Sequence, residues 1–329
     1  MLTRRDFVRS TALASLAAPL IPATSFGQAA ADYPSQPIHT ICLFPPGTGA
    51  DIRVRFFAKK LGDVTGKTVV VENKPGANGN IATEYVARAK PDGYTIFIAP
   101  GSSSLAAAPS LFKKLNYDPI NDFEHITTIS TSAFVLLVSA NTPHKTLADL
   151  TAHLKQKGDK ASYGTSANPG VAGGAIFKHT FGLQAVEVPY KDSATMYNDM
   201  HSGNLDFFFT DVNGAGGHIR AGRVRPLAMT SAKRLSSWPE IPGAEEAGIA
   251  GLDIQTWWSV HVPAKTPKAI CDKLEAWFNA IAIDPETAKF NLTAGSDPLP
   301  GNSKMLRELL LKETKAWEGY AKLAKIEKQ

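Results

Sequence analysis

Beyond residue 31 the chain alternates short runs rich in β-branched and aromatic residues with segments of helical period. The runs IHTICLF (38–44), TVVVEN (68–73), YTIFIAP (94–100), AFVLLVSA (133–140), LDFFFTD (205–211) and VRPLAMTS (224–231) read as strands. Between them, DIRVRFFAKKLGDV carries Ile52, Phe56, Phe57 and Val64 near helical spacing, and NIATEYVARAK forms a second helical pattern that stops before Pro91. The segments PKAICDKLEAWFNAIA and SKMLRELLLKETKAWEGYAKLAK are helical almost throughout. Thr146, Asp284 with Pro285, and Ser303 mark helix starts, by a capping oxygen or a helix-compatible proline. This alternation predicts an α/β architecture with mainly parallel sheets.

The first residues break the pattern. MLTRRDFVRS precedes TALASLAAPLIPA, an apolar run too short to cross a bilayer. Arg4 and Arg5 with Phe7 and Arg9 resemble the twin-arginine export address, and Ala29 to Ala31 offer a cleavage site. Residues 1–31 therefore read as a signal peptide, the alternative being a basic arm that stays attached. The remainder is long enough for two domains, each with its own core.

The formal charge of +5 at pH 7 falls closer to neutral once Arg4, Arg5, Arg9 and Asp6 are removed. The other basic residues are interspersed with acidic ones, so no nucleic-acid footprint is indicated. No later apolar stretch is long enough for a transmembrane helix. The two cysteines, Cys42 and Cys271, admit either one disulfide in an oxidising compartment or two small buried hydrophobes.

Candidate chemistry concentrates in LFPPGTGAD, Leu43 to Asp51. A glycine-rich turn that leaves a strand and enters a helix exposes main-chain N–H groups at the positive end of the helix dipole. Gly47 and Gly49 would let the backbone approach a ligand closely, and Asp51 is placed to cap the helix. The same residues also suit a tight turn that holds nothing. Other motifs fail on spacing. GDVTGKT, Gly62 to Thr68, has three residues where a phosphate loop needs four, and GTSAN misses the hydrolase elbow because Asn168 stands where glycine is required. The eight histidines show no zinc spacing, so each reads as a surface or satisfied core residue, and neither metal nor cofactor is expected.

YPSQPIHTICLFPPGTGADIRVRFFAKKL, VVVENKPGANGNIATEYVARAKPDGYTIFIA, NYDPINDFEHIT, VEVPYKD and MTSAKR together resemble the tripartite tricarboxylate transporter solute receptors, also called Bug proteins. The VENKPGANGNIA and KPDGYT blocks are the most specific. The resemblance implies a type II periplasmic-binding-protein fold, two α/β lobes joined by crossover strands around a ligand cleft. It places lobe one at residues 32–131 plus 257–329 and lobe two at 132–256. It implies a periplasmic, non-enzymatic monomer that binds a small carboxylate and passes it to the membrane components of such a transporter without itself spanning the membrane. The residues nominated for the ligand are Phe44, Gly47, Thr48, Gly49 and Asp51 in the loop, then Ser102, Ser103, Ser166, Asn168, Tyr190 and Asp211. Arg53 is the one guanidinium noted near them, and it could equally be a surface residue. Two other functions fit the same residues: a periplasmic hydrolase using Ser166, and a receptor that reports its ligand to a sensor kinase.

Overall fold

The structure, a computed structural model, describes residues 32–329. The expected signal peptide, with Arg4 and Arg5, lies outside the described residues. Pro34–Gln329 form one compact unit.

Ten strands and nine longer helices follow one another among these residues. The chain runs β1 (Ile38–Cys42), α1 (Gly49–Thr65), β2 (Val69–Asn73), α2 (Asn80–Ala87) and β3 (Thr95–Pro100), then a π turn (Ser102–Ala106). It continues through β4 (Phe123–Ser139), α3 (Leu147–Lys157), β5 (Ser162–Thr165), α4 (Asn168–Phe181), β6 (Val186–Pro189), α5 (Ser193–His201), β7 (Phe207–Asp211), α6 (Val212–Arg220) and β8 (Val224–Met229). The last part holds β9 (Gln255–Pro263), α7 (Lys268–Ala282), α8 (Pro285–Thr293), β10 (Asp297–Pro298) and α9 (Ser303–Leu323).

The strands lie in the order β2-β1-β3-β9-β4-β7-β5-β6, with β8 and β10 also paired to β4. Pairing is parallel at both ends of this array, between β1 and its neighbours β2 and β3 and between β5 and its neighbours β6 and β7. It is antiparallel in the middle, where β9 meets β3 and β4, and where β4 meets β7 and β8. The expectation of mainly parallel sheets therefore holds only at the ends. The reason is topological: β4 carries the chain out of the first half and β9 brings it back, so side by side they must run in opposite directions.

β4 divides its length between the halves. Phe123 to Ala133 pair with β9, whereas Phe134 to Leu137 pair with β7 and Val135 to Ser139 with β8. Residues Ser130 to Ala133 and Thr256 to Ser259, which span the lobe boundaries that the resemblance implies, fall on the pairing of β4 with β9, with Ser130 opposite Trp258 and Ala133 opposite Gln255. Only the apolar second half of β4 is visible as a strand in the sequence. The first half, FEHITTISTS, lacks the usual alternation because its hydroxyls are buried and take distant partners. Thr127 donates to Asn279 at 2.8 Å and Thr131 to Gln255 at 3.1 Å.

Helix positions follow local chemistry with a few shifts. Thr146 caps α3 in a reciprocal box with Asp149, and Asp284 caps α8. The cap of α9 is Asn302 rather than Ser303, which is the first helical residue. α2 ends at Ala87, short of Pro91. The buried face of α1 is Val54, Phe57, Ala58 and Leu61, which is the i, i+3, i+4, i+7 stripe, while Ile52 and Val64 face solvent. α9 lies across β4, the Ser102–Ala106 turn and α4, and so ties the two halves together. Cys42 and Cys271 are free thiols, and burial pushes both above the ordinary thiol value.

One buried side chain clasps both crossing segments. Thr230 accepts from the Phe134 N–H at 2.9 Å and donates to the Ile254 carbonyl at 2.6 Å, while its backbone pairs with the same two residues. Thr230→Val keeps the shape but leaves buried polar groups unpaired, so it should lower unfolding free energy by about 1–3 kcal/mol in urea titrations. A loss below about 0.5 kcal/mol, the size of an ordinary surface change, would show that the clasp does not hold the crossing together.

Candidate functional site

β1 ends at Cys42, two residues before the apolar run does, and the chain turns through Phe44 and the exposed Pro45 and Pro46. Gly47 has φ +80°, a conformation that suits glycine. Thr48 is the N-cap of α1: its Oγ1 accepts from the Asp51 N–H at 3.2 Å and donates to the Pro45 carbonyl at 2.9 Å. Asp51, expected as the cap, instead occupies the third helical position and folds back on the loop. Its carboxylate accepts from the Gly47 N–H (2.9 Å), Arg55 Nε (2.9 Å) and Asn73 Nδ2 (2.7 Å). Asn73 closes the network by donating to the Phe44 carbonyl and accepting from Arg55 Nη2, both at 2.9 Å. The Arg55 hydrogen bond, aided by Asn73 and Gly47, holds the Asp51 carboxyl at about 2 despite its burial. Arg55 is thus a second guanidinium at the loop, one that no motif in the sequence singles out.

This network decides which donors are left. The Gly47 N–H is committed to Asp51. Among the described residues, the first-turn N–H groups of Gly49 and Ala50 have no protein acceptor, and apart from its chain neighbours no atom lies within 4 Å of where a Gly49 Cβ would stand. Gly49 is exposed and Ala50 half-buried, and both stand at the positive end of a 17-residue helix.

The neighbouring strand adds a hydroxyl. After β3, Gly101 lies so close to the Trp257 ring and Ser259 Oγ that a Cβ would stand 2.2 and 2.4 Å from them. Ser103 is exposed and donates to the Pro100 carbonyl at 3.2 Å, as Ser104 does at 2.9 Å. Ser102 Oγ is buried and has no partner. Behind it a directed chain of hydrogen bonds runs through the core. Ile120 O accepts from His125 Nε2, so His125 Nδ1 must accept from His261 Nδ1, and His261 Nε2 must accept from Ser259 Oγ. Burial pushes both imidazoles below their ordinary value, and each is a satisfied core group.

Arg53 is not a surface residue. Only 5% exposed, it donates through Nη1 to Ser130 Oγ (3.0 Å) and Asn291 Oδ1 (3.1 Å), and through Nη2 to Ser296 Oγ (3.0 Å). Its guanidinium lies 5.4 Å from the Trp258 ring centre and 5.6 Å from that of Phe290, and Phe44 lies 6.1 Å from Trp258. These links could not be read locally, because the partners come from positions 130, 258, 290, 291 and 296.

The remaining nominated residues sit at the carboxyl ends of β5, β6 and β7, which are the strand ends that carry ligand loops in open α/β sheets. Ser166 is exposed, and Asn168 opens α4 half-buried. Tyr190 bonds its backbone N–H to Thr165 O and gives its hydroxyl to Asp199 at 2.7 Å, and burial, aided by Asp199, raises that hydroxyl to about 12. Asp211 caps α6 by accepting from the Asn213 N–H at 2.9 Å, and the protein around it raises its carboxyl above the ordinary range. It pairs with Phe134 on β4, four residues beyond the Ser130 that holds Arg53. Ser166 has no histidine partner among the described residues, and the serine that does, Ser259, is fully buried. No group of three His, Cys, Asp or Glu suited to a metal occurs among the described residues. What the arrangement offers chemically is a set of neutral hydrogen-bond donors after β1 and β3, and one buried guanidinium on α1.

Residues 53–324 match the family described as Tripartite tricarboxylate transporter family receptor. A UPF0065 protein of Bordetella bronchiseptica is 32% identical over 311 residues, which covers 92% of this chain and 91% of that protein. Among solved structures, R. palustris Rpa4515 with adipate is 30% identical, with a TM-score of 0.75 and coverage of 91% and 100% of the two chains. The periplasmic binding protein BugD is also 30% identical, with a TM-score of 0.72 and coverage of 90% and 100%. The two-lobed fold is that of these neighbours.

The buried Asp51 carboxylate makes a testable demand on pH. Its folded value, about 2, lies below the ordinary 3.8, so its stabilisation is complete above about pH 4 and is lost as pH falls toward 2. Asp51→Asn should therefore cost about 1–3 kcal/mol at pH 7 in urea unfolding, with the gap to wild type closing between pH 4 and 2. A gap independent of pH would show that the carboxylate's charge is not what holds the loop.

Proposed function

The chain belongs to the tripartite tricarboxylate transporter receptor family, and from that premise we propose that it is a periplasmic solute receptor. It binds a small carboxylate between its lobes and delivers it to the membrane components of a transporter of that type. The observation that carries this reading is the group of donors with no protein acceptor among the described residues, the Gly49 and Ala50 N–H groups and Ser102 Oγ, which follow the carboxyl ends of the paired parallel strands β1 and β3. A carboxylate supplies the acceptors they lack. Rpa4515, bound to adipate and 30% identical, supports the same ligand class. Among the described residues no helix is long and apolar enough to cross a membrane, consistent with a receptor that hands its cargo to separate membrane partners.

The loop, Ser102 and Ser103 form the lobe-one wall of the site, and Ser166, Asn168, Tyr190 and Asp211 form the facing wall. We place lobe one at 32–131 plus 257–329 and lobe two at 132–256, with β4 and β9 as the hinge between them. Ligand then shifts an equilibrium between open and closed forms. Because Asp51 already takes the Gly47 N–H, Gly47 acts by shaping the loop, and its positive φ makes Gly47→Val a backbone lesion rather than the loss of a donor.

A thermal-shift screen of aliphatic and aromatic mono-, di- and tricarboxylates tests the reading, since a ligand that binds only the folded state raises the melting temperature by mass action. One class of acid should raise it in wild type and not in folded Gly47→Val, and small-angle scattering should show the particle contract as that acid saturates. No response to any carboxylate, or an unchanged radius at saturation, would overturn the proposal.

A further inference from the structure

Arg53 stands one helical turn beyond Gly49, and residues four apart share a helix face. The Arg53 guanidinium lies 5.4 Å from the Trp258 ring centre, and that ring lies 6.1 Å from Phe44, where the loop begins. The space above Gly49 is open because no side chain fills it. Of the five N–H groups of the guanidinium, three are donated to neutral oxygens. No carboxylate lies within ion-pair distance of Arg53 among the described residues, and Asp211 acts on it only through space. Asn291 is fully buried and must turn its Oδ1 to Arg53, which leaves its Nδ2 without an acceptor. A buried cation with spare donors, beside an amide with another, is costly to maintain unless an anion comes to it.

Resting on the receptor reading, we propose that Arg53 is the residue by which the site reads charge. The ionised carboxylate seated over Gly49 is held by the Gly49 and Ala50 amides and by the guanidinium one turn further on. The guanidinium itself is buried beside the Trp258 ring, where a charge-assisted hydrogen bond is stronger than it would be in solvent. The ligand class is thereby narrowed to acids ionised at neutral pH, with their neutral amides and esters rejected.

The competing role for Arg53 is that of a strut joining α1 to β4 and α8. The test titrates acetate, succinate, malate, adipate, citrate and benzoate into wild type, Arg53→Gln and Arg53→Lys by calorimetry, with circular dichroism to establish folding. At least one acid should bind wild type, and Arg53→Gln should weaken it by about 10- to 100-fold. Arg53→Lys, which restores the charge but cannot remake the three-way cradle, should recover part of that loss. Undiminished binding by Arg53→Gln, or Arg53→Lys as weak as Arg53→Gln, would overturn the assignment while leaving the receptor reading in place. If none of the acids binds wild type, the carboxylate reading falls and this inference falls with it.

Discussion

The glycine loop after β1 keeps its shape because the carboxylate of Asp51 is buried beneath it and accepts from Gly47, Arg55 and Asn73 at once. A carboxylate removed from water is tolerated only when its lone pairs are taken up, and here three donors from three segments do so. Meeting that condition goes with Gly47 in its left-handed conformation and with Thr48 closing the helix start, just before Gly49 and Ala50. The donors proposed for the ligand are those that remain once Asp51 is satisfied. Loop stability and binding capacity thus share one electrostatic origin.

The same economy operates at the crossing of β4 and β9. A strand that passes between two halves needs its hydroxyls and amides satisfied on both sides, and β4 does this with Thr127, Ser130, Thr131 and Ser132. Ser130 receives Arg53 from α1, while Ser132 reaches Asn213 at the start of α6 at 3.4 Å. The crossing is therefore the place where elements from both halves meet. Any motion of the halves would be felt first in those side chains.

Much of this is legible in the sequence, and what is not has physical causes. The six strands with apolar or β-branched runs are all present, because such residues suit a pleated, packed surface, even in the edge strand β2, which has no fully buried residue. The four-residue strands β5 and β6 are too short to carry a period, and the hydroxyl-rich half of β4 conceals its burial behind polar side chains. On α1, Ile52 and Val64 look like core positions and are exposed, while Arg53 and Asp51 are buried. Hydrophobicity cannot reveal a buried charge whose partners lie up to 243 residues away, as Ser296 does from Arg53. Ser102 and the loop stand out as candidates in the sequence, but only coordinates distinguish the free Ser102 hydroxyl from the committed one of Ser103. Tyr190 is a similar case, since its hydroxyl belongs to Asp199.

The central claim is that the free amides at the start of α1 are where the carboxylate is held. It is tested most directly by amide hydrogen exchange at Gly49 and Ala50, resolved by NMR, with and without a carboxylate that raises the melting temperature. Both amides should exchange freely in the unliganded protein and become protected on binding, with a downfield shift as they take up an acceptor. Protection elsewhere in the protein with Gly49 and Ala50 unchanged would contradict it.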